Sequence, residues 1–319
     1  MEMPDDTKTY RMKKYILSSV LCFLAVVLSG VEAFAQQDAQ YSQYMFNQLA
    51  LNPAYAGSRE ALATSLVYRN QWTGIDGAPT TGAVAVQMPL KKKKIGVGAE
   101  IFSDKLGPKN TSGILFSYAY RIPFLKGKLS FGLRMGMYNY AFDWTKMDYK
   151  DKSDVYNQIQ ERKSKITPTA DFGMYYYART FYWGFATTHL NRGKITTMTT
   201  DSTAHQEVHY FIPIGKAFEV KNMIINPSVL IKAASNAPPS VDVSVNLLLK
   251  ERLWLGVSAR SKYGILFLAQ YMINEKMKAG YSYDLGTNKI GIVGKGSHEI
   301  MIGYDINLHG TKMVTPRYL

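Results

Sequence analysis

Residues 127–142 read GKLSFGLRMGMYNYAF. From Leu129 to Met137 every second side chain is apolar, and the residues between them are serine, glycine or arginine. Successive side chains of a β-strand point to opposite faces, so this alternation predicts a strand with one apolar and one polar face. The stretch is longer than the average soluble strand of about 5–6 residues. It is also long enough to cross a membrane, for which a tilted strand needs about 9–11 residues.

The same alternation recurs along the chain. It is clearest at 94–104, 240–249, 276–285 and 297–308. The strands that we predict from it are 61–70, 81–89, 94–104, 111–121, 127–142, 166–178, 180–190, 205–217, 222–234, 239–249, 252–261, 264–273, 276–285 and 297–308. Bacterial outer-membrane barrels have an even number of antiparallel strands, and these segments number about 14. The sequence therefore predicts an all-β fold, a transmembrane antiparallel β-barrel over residues 61–308.

The connections differ in length at the two ends of the predicted barrel. Short, charged turns are predicted at 90–93, 123–126, 179, 220–221, 250–251 and 274–275. Longer loops are predicted at 70–79, 105–110, 143–165, 191–204 and 286–296, with short exceptions at 235–238 and 262–263. Short periplasmic turns and long external loops are typical of outer-membrane barrels, so we expect both ends of the mature chain on the periplasmic side. A large soluble β-sandwich or propeller also alternates, but it rarely needs so many long strands.

The first 35 residues have the three parts of a secretory signal peptide. These are a basic part with Lys13 and Lys14, an apolar part at 16–28, and the cleavage site Ala33-Phe34-Ala35. An uncleaved membrane anchor is the alternative, but the apolar part is shorter than the about 20 residues of a helical span. After cleavage near Ala35, we expect 36–60 to form a lumen plug or a periplasmic segment. We expect 309–319 to form a periplasmic tail.

The composition excludes several classes of protein. The chain has 38 Lys and Arg against 24 Asp and Glu, a net charge of +14. Charged residues are nevertheless only 19% of the chain, and without a recognition motif we expect no binding to nucleic acid. The hydrophobic content of 46% excludes a disordered chain. The single cysteine, Cys22, lies in the signal peptide, so the mature chain has no thiol for catalysis, a disulfide or metal binding.

Signals for an enzyme are weak. His205 and His209 have the spacing of a metal pair on a helix, but on a strand they lie about 13 Å apart and cannot share one ion. Ser297 and His298 are adjacent, so on a strand they point to opposite faces instead of forming a catalytic pair. The sequence has no nucleotide-binding glycine pattern. We therefore expect no catalytic site, no metal and no cofactor.

Six motifs together resemble one family of proteins. They are YSQYMFN at 41–47, LNPAYAG at 51–57, YRNQWTG at 68–74, GAPT at 77–80, GYSYD at 280–284 and GSHEIMIGY at 296–304. With these motifs the mature chain resembles the PorP/SprF family of outer-membrane proteins of the Bacteroidetes type IX secretion system. The resemblance implies a Gram-negative outer-membrane β-barrel that serves protein secretion, gliding motility, or both.

The resemblance also implies partners. Family members work with periplasmic ring and lipoprotein subunits of the machine, and the gliding branch displays a large adhesin on the cell surface. The expected partners are therefore those subunits, a secreted or surface-attached adhesin client, and outer-membrane lipid. The tail at 312–319 also resembles the end of family members, so we include Pro316, Arg317 and Tyr318 among the candidate partner-binding residues.

The NPAYAG motif supplies four more candidates, Asn52, Pro53, Tyr55 and Gly57. The Asn-Pro step is a turn signal, and Gly57 can adopt a positive φ. One interpretation is a plug or docking element, and the other is a tight turn that leads into the first strand.

Two further candidates, Arg69 and Trp72, come from the YRNQWTG motif. Trp72 is either an interfacial aromatic residue, as in the girdles of such barrels, or a contact for a secreted partner.

The densest charge run is Lys91, Lys92, Lys93 and Lys94. At a periplasmic turn it can bind an acidic partner or inner-leaflet phosphates, or it is simply a solvated hairpin. Most of the net charge falls in the predicted short turns, so we predict that this rim docks a periplasmic protein.

A passive outer-membrane channel for small solutes is the alternative function. Inward charges such as Glu100, Arg134 and Asp305 can line a channel or form ion pairs that close it.

Overall fold

The computed structural model describes residues 38–90, 94–147, 161–195, 204–235 and 237–307. Its strands are β1 Leu62–Asn70, β2 Thr80–Pro89, β3 Ile95–Leu106, β4 Lys109–Phe124, β5 Gly127–Asp143, β6 Arg162–Tyr177, β7 Phe181–Thr188, β8 His209–Lys216, β9 Phe218–Val220, β10 Met223–Ala234, β11 Ala237–Leu249, β12 Leu253–Arg260, β13 Gly264–Met272, β14 Met277–Gly286 and β15 Ser297–Ile306. Short helices are Tyr44–Phe46, Gln48–Leu51, Pro53–Tyr55, Trp144–Lys146 and Lys289–Val293.

The strands form one closed antiparallel barrel. Strands that are consecutive in sequence pair with each other, and β1 pairs with β15 from Leu62↔Ile306 to Asn70↔His298. Only Ala217 separates β8 from β9, and both pair with β10, so they make one barrel strand. Within the described residues, fourteen strands therefore surround the lumen. The predicted fold class and all the predicted strands are confirmed, with ends shifted by a few residues.

The two faces of the barrel have opposite polarity. On β5, Leu133, Met135 and Met137 are 53%, 64% and 56% exposed, whereas Arg134 between them is buried. The exposed apolar face is the one that contacts lipid, and the buried polar face lines the lumen. No helix in the described part of the chain has the length and apolar content of a membrane span.

The two ends of the barrel differ as expected, with one correction. We call the end with the connections 71–79, 144–161, 189–208 and 287–296 the long-loop rim, and the opposite end the short-turn rim. The loop predicted at 105–110 is wrong. There β3 and β4 continue their ladder to Leu106↔Lys109, so that only two residues remain for the turn. Gly107 adopts a φ of 53°, which a tight turn requires and glycine tolerates.

The N-terminal part differs from the expectation that both ends of the mature chain lie on the short-turn side. Asp38 contacts His189, which follows β7 at the long-loop rim. Arg59 instead contacts Asp305 near the end of β15, at the short-turn rim. Residues 38–61, which we call the threading segment, therefore run through the lumen from the long-loop rim to the short-turn rim. The domain limits at 35/36, 60/61 and 308/309 stay predictions, and residues 1–35 and 309–319 lie outside the described part of the chain.

Candidate functional site

The threading segment is held by ionic clusters at the long-loop rim, and the first is centred on Arg69. The Arg69 guanidinium, only 1% exposed, lies 2.6 Å from Asp284 and 3.1 Å from Glu299. The two Glu299 carboxylate oxygens accept the backbone N–H groups of Ser42 and Gln43, both at 2.8 Å. The Ser42 hydroxyl donates to Asp284 at 2.7 Å. Glu299 thus binds the backbone of the segment, and Asp284 and Arg69 bind the Ser42 hydroxyl, all by charge-assisted hydrogen bonds.

A second cluster holds the residues just before Ser42. Asp242 on β11 lies 2.9 Å from both Lys232 on β10 and Arg260 on β12. Lys232 also donates to the Gln40 side chain at 3.1 Å, and Arg260 donates to the carbonyl of Tyr41 at 3.3 Å. Lys232 and Arg260 therefore each contact both the Asp242 carboxylate and the segment. The Asp242 charge compensates these buried cations, which would otherwise be costly inside the barrel.

A third cluster lies deeper in the lumen. Arg134 on β5 pairs with Asp171 on β6 and donates to the carbonyls of Leu49 and Ala50, both at 3.1 Å. Glu100 on β3 lies 3.9 Å from Arg134. The inward charges are thus paired with one another and with the segment, which favours the ion-pair interpretation over the channel-lining one.

The NPAYAG motif forms a tight turn against the inner wall. The Asn52 side chain accepts the backbone N–H of Ala54 at 2.9 Å and donates to the carbonyl of Met174 on β6 at 2.9 Å. Pro53 begins a short 3-10 helix, and the Tyr55 ring packs edge-on against Tyr175 with centroids 5.3 Å apart.

Three inward glycines, on β3, β5 and β6, leave room for this turn. A Cβ placed on Gly132 would lie 2.2 Å from the backbone nitrogen of Ala54. A Cβ on Gly96 would lie 2.0 Å from the carbonyl oxygen of Ala56, and one on Gly173 would lie 2.1 Å from the Asn52 side chain. The wall and the motif are therefore complementary in shape, and no larger residue fits at these wall positions without displacing the segment.

The segment leaves the lumen at the short-turn rim. Gly57 has a φ of 68° and donates its N–H to Gln87 on β2 at 2.9 Å. Below it, Arg59 pairs with Asp305, which also lies 3.5 Å from the buried Lys278. The chain then enters β1.

The predicted site residues separate into three groups. Asn52, Pro53, Tyr55, Gly57 and Arg69 lie inside the barrel, where they fix the threading segment. The four motif residues contact the barrel wall, and Arg69, a wall residue on β1, contacts Ser42 of the segment. They act together as parts of one packed element.

Trp72 and Lys94 lie at opposite rims. The backbone N–H of Trp72 donates to the Ser297 hydroxyl at 3.1 Å, and its backbone packs on Gly294 in the loop before β15. Lys94 is exposed at the start of β3. The candidates Lys91, Lys92, Lys93, Pro316, Arg317 and Tyr318 lie outside the described residues.

The short-turn rim carries fewer free positive charges than the sequence predicts. Lys278 points into the lumen and Lys128 pairs with Glu60 at 2.8 Å, so neither contributes a free charge to the rim. Arg179 pairs with Glu219 at 2.9 Å. Exposed cations of the described rim include Lys94, Lys126, Lys216, Lys221, Lys250, Arg252 and Lys276. The rim is basic, but less so than the sequence count suggests.

His205, His209 and His298 lie in separate surroundings and have different partners. His205 donates from Nδ1 to the carbonyl oxygen of Arg192 at 3.1 Å, and His209 points inward on β8. His298 lies 2.7 Å from the Tyr281 hydroxyl. Among the described residues, no group of three His, Cys, Asp or Glu side chains is arranged to hold a metal ion.

The first described contact of the segment is an Asp–His pair. His189 Nε2 lies 3.0 Å from Asp38, its Nδ1 lies 2.9 Å from the Thr169 hydroxyl, and its backbone N–H donates to Asp171 at 2.9 Å. Burial alone lowers the pKa of His189, but the Asp38 and Asp171 carboxylates outweigh burial and the opposing charge of Arg134, and raise it above the ordinary value. Burial alone raises the pKa of Asp38, and His189 more than reverses this, which lowers it well below its usual range.

We expect this end of the segment to loosen at alkaline pH. The raised pKa of His189 means that its stabilisation is full below about pH 6.5 and is lost as pH rises through the folded-state value. The lowered pKa of Asp38 means that its share is present above about pH 4. Hydrogen exchange of residues 38–44, corrected for intrinsic rates, should be faster at high pH than near pH 6. The His189→Gln variant keeps a hydrogen bond but should lose this dependence; an unchanged pH dependence in the variant contradicts the assignment.

Comparisons with solved structures return outer-membrane barrels of low similarity. Omp33 of Acinetobacter baumannii is 10% identical, with a TM-score of 0.43 over 77% of this chain and 98% of that one. A monoaromatic hydrocarbon channel, CymD, is 11% identical, with a TM-score of 0.47 over 88% and 95%. The KdgM porin is 9% identical, with a TM-score of 0.36 over 78% and 100%. A comparison with curated proteins finds no match.

A family model for "Type IX secretion system membrane protein PorP/SprF" matches residues 33–304. The match includes the threading segment and nearly all of the barrel. A β-barrel with a lipid-facing surface is typical of the bacterial outer membrane, which agrees with this family. The chain belongs to the PorP/SprF family of type IX secretion system membrane proteins.

Proposed function

We propose that the chain is a non-enzymatic component of the type IX machinery that works by docking. Its short-turn rim would bind periplasmic ring and lipoprotein subunits, and its long-loop rim would receive a secreted or surface-attached client, including a gliding adhesin. The observation that carries this proposal is the threading segment. Because the segment occupies the lumen and charged wall residues bind its backbone, the outer surfaces are better candidates for activity than a pore.

The buried candidates have an indirect role in this proposal. Asn52, Pro53, Tyr55 and Gly57 contact the barrel wall, and Arg69 on the wall binds Ser42, so all five would affect partners by keeping the segment in place. In this interpretation the residues of the NPAYAG motif are buried because they hold the segment and do not themselves bind a partner.

The docking surface that we propose combines Lys91–Lys94 with the tail. β15 ends at Ile306 on the short-turn rim, so the residues that follow begin there. Pro316, Arg317 and Tyr318 would therefore contribute to this surface, and Arg317 would add a further cation. A periplasmic partner with an acidic surface is the complement of such a rim.

Charge reversal tests the docking surface. Replacing Lys91, Lys92, Lys93 and Lys94 by glutamate should reduce co-purification of the ring lipoprotein at least about tenfold, because like charges across an interface repel. The matched control reverses four exposed lysines near the long-loop rim, Lys105, Lys146, Lys165 and Lys194, and should leave that co-purification unchanged. Equal recovery of the lipoprotein with the 91–94 variant would sink the proposal.

A further inference from the structure

One sector of the lipid-facing surface contains a groove. It has a volume of about 480 Å³ and crosses β11 to β14. In register across these strands, one row is Val245, Val257, Phe267 and Tyr283, and the row below it contains Leu255, Ala269 and Tyr281. Phe267 and Tyr281 are 44% and 46% exposed, so the groove opens toward the membrane.

The shape of the groove comes from one small residue. Ala269 lies between Leu255 on β12 and Tyr281 on β14, both of which carry much longer side chains. The neighbouring outward residue on its own strand is Phe267. A single methyl group among large side chains leaves a trough with apolar walls.

Three lysines lie at the long-loop rim, above the groove. Lys262 connects β12 to β13, and Lys289 and Lys295 lie in the loop between β14 and β15. All three are exposed and none forms an ion pair with a described residue. The connections that follow β10, β12 and β14 contain no Asp or Glu. This rim sector is therefore positively charged without a compensating acid of its own.

The groove and the cations belong to one surface. Tyr283, which lines the groove, donates its hydroxyl to the carbonyl of Lys295 at 3.5 Å. The Asn288 side chain donates to the carbonyl of Lys262 at 3.3 Å, which places Lys289 next to that turn. Five to seven residues separate Lys262 from Phe267 and Ala269 along the strand, a depth of about 13–18 Å at the usual strand tilt. That depth is about half of the roughly 30 Å hydrocarbon core, the thickness of one leaflet.

We propose that this surface is a binding site for a phosphorylated glycolipid of the lipid A type. The lysines would bind its phosphates and the groove would hold an acyl chain. The proposal uses the orientation in which the long-loop rim faces outward, where such glycolipids form the outer leaflet. It does not depend on the docking of secretion subunits.

Two features favour this lipid over other occupants. A neutral lipid would use the groove but leave the three lysines unpartnered. A protein partner would need an apolar surface inside the membrane together with acidic residues at the level of the rim. A phosphorylated glycolipid has its phosphates at the membrane surface and its acyl chains in the leaflet below, which matches the separation of the lysines from the groove. Charge complementarity and depth therefore agree on one occupant.

The test uses the full mature protein in detergent micelles. The probes are purified bis-phosphorylated lipid A, its dephosphorylated form, and phosphatidylglycerol, with binding measured by titration calorimetry. We expect lipid A to bind more tightly than either of the others. Lys262→Gln with Lys289→Gln should weaken lipid A binding about 30-fold, because each lysine near an anionic lipid surface contributes about fivefold.

Filling the groove gives an independent second arm. Ala269→Phe should weaken binding of lipid A, because the added ring fills the groove that would hold the acyl chain. The matched control is Ala99→Phe, another outward-facing alanine, on β3, which lies in a different sector of the barrel. Lys105→Gln with Lys165→Gln is the control for charge.

Three outcomes would overturn the proposal. They are equal binding of phosphatidylglycerol and lipid A, unchanged lipid A binding in both the lysine and the Ala269 variants, or a protein in place of lipid on this sector after mild extraction. Folding of each variant is checked by its heat-dependent gel mobility, so a failure of the barrel to form is recognised as such.

Discussion

Replacing Arg69 with methionine should lower the free energy of unfolding of the barrel by about 3–5 kcal/mol, the cost of removing one partner from a buried ion pair. Arg69 lies between Asp284 and Glu299, and each of these carboxylates is 0% exposed. Without the guanidinium, Asp284 keeps the Ser42 hydroxyl and Glu299 keeps two backbone N–H groups. These hydrogen bonds do not neutralise two negative charges inside the lumen. Unfolding of the protein in vesicles by guanidinium chloride, followed by tryptophan fluorescence, measures the change in the free energy of unfolding.

A matched arginine separates burial from charge. Arg179 also pairs with a glutamate, but the two side chains are 79% and 45% exposed. The Arg179→Met change should therefore cost at most about 1 kcal/mol. Adding Asp284→Asn and Glu299→Gln to Arg69→Met should recover much of the lost stability, because neutral amides need no counter-charge. A loss in Arg69→Met no larger than in Arg179→Met contradicts the role of this cluster.

The strands could be predicted because lipid and lumen impose opposite polarity on alternate residues of each one. The same rule explains where the prediction was less accurate. β6 begins at Arg162, four residues before the predicted start, and its first residues pair with β5 through Lys163↔Phe142 and Lys165↔Tyr140. Outside the hydrocarbon region a strand needs only its backbone hydrogen bonds, so its side chains need not alternate. The hairpin at Gly107 extends beyond the predicted strands for the same reason.

The interior of the site could be predicted only in part. Glu100, Arg134 and Asp305 occupy polar positions of alternating strands, so their inward direction followed from the pattern. Their partners did not, because the pairing depends on a segment that lies far away in sequence: Ser42 and Glu299 are 257 residues apart. The direction of the threading segment was also inaccessible, since residues 36–60 carry no periodicity that relates them to either rim.

Replacing Gly132 with leucine should displace the turn at Pro53–Tyr55 and open the lumen. The added Cβ would lie 2.2 Å from the backbone nitrogen and 2.5 Å from the Cα of Ala54, and backbone atoms cannot move aside as a flexible side chain can. Overpacking costs about 1–3 kcal/mol or more, which raises the population of displaced segment by on the order of 10- to 100-fold. Planar-bilayer recordings should then show conductance steps that the unaltered protein lacks, and the segment should become sensitive to added protease.

The control for this prediction is Gly82 on β2, where an added Cβ meets no atom within 4 Å. Gly82→Leu should leave both conductance and protease resistance unchanged. Deletion of residues 40–57 provides a second route to an empty lumen that does not depend on a steric clash in the wall. If the deletion variant forms a heat-modifiable barrel and still conducts no ions, then wall side chains rather than the segment close the lumen. If the unaltered protein already conducts as strongly as the Gly132→Leu variant, the passive-channel function replaces docking, because the ionic clusters around Arg69, Asp242 and Arg134 would then not keep the segment in place.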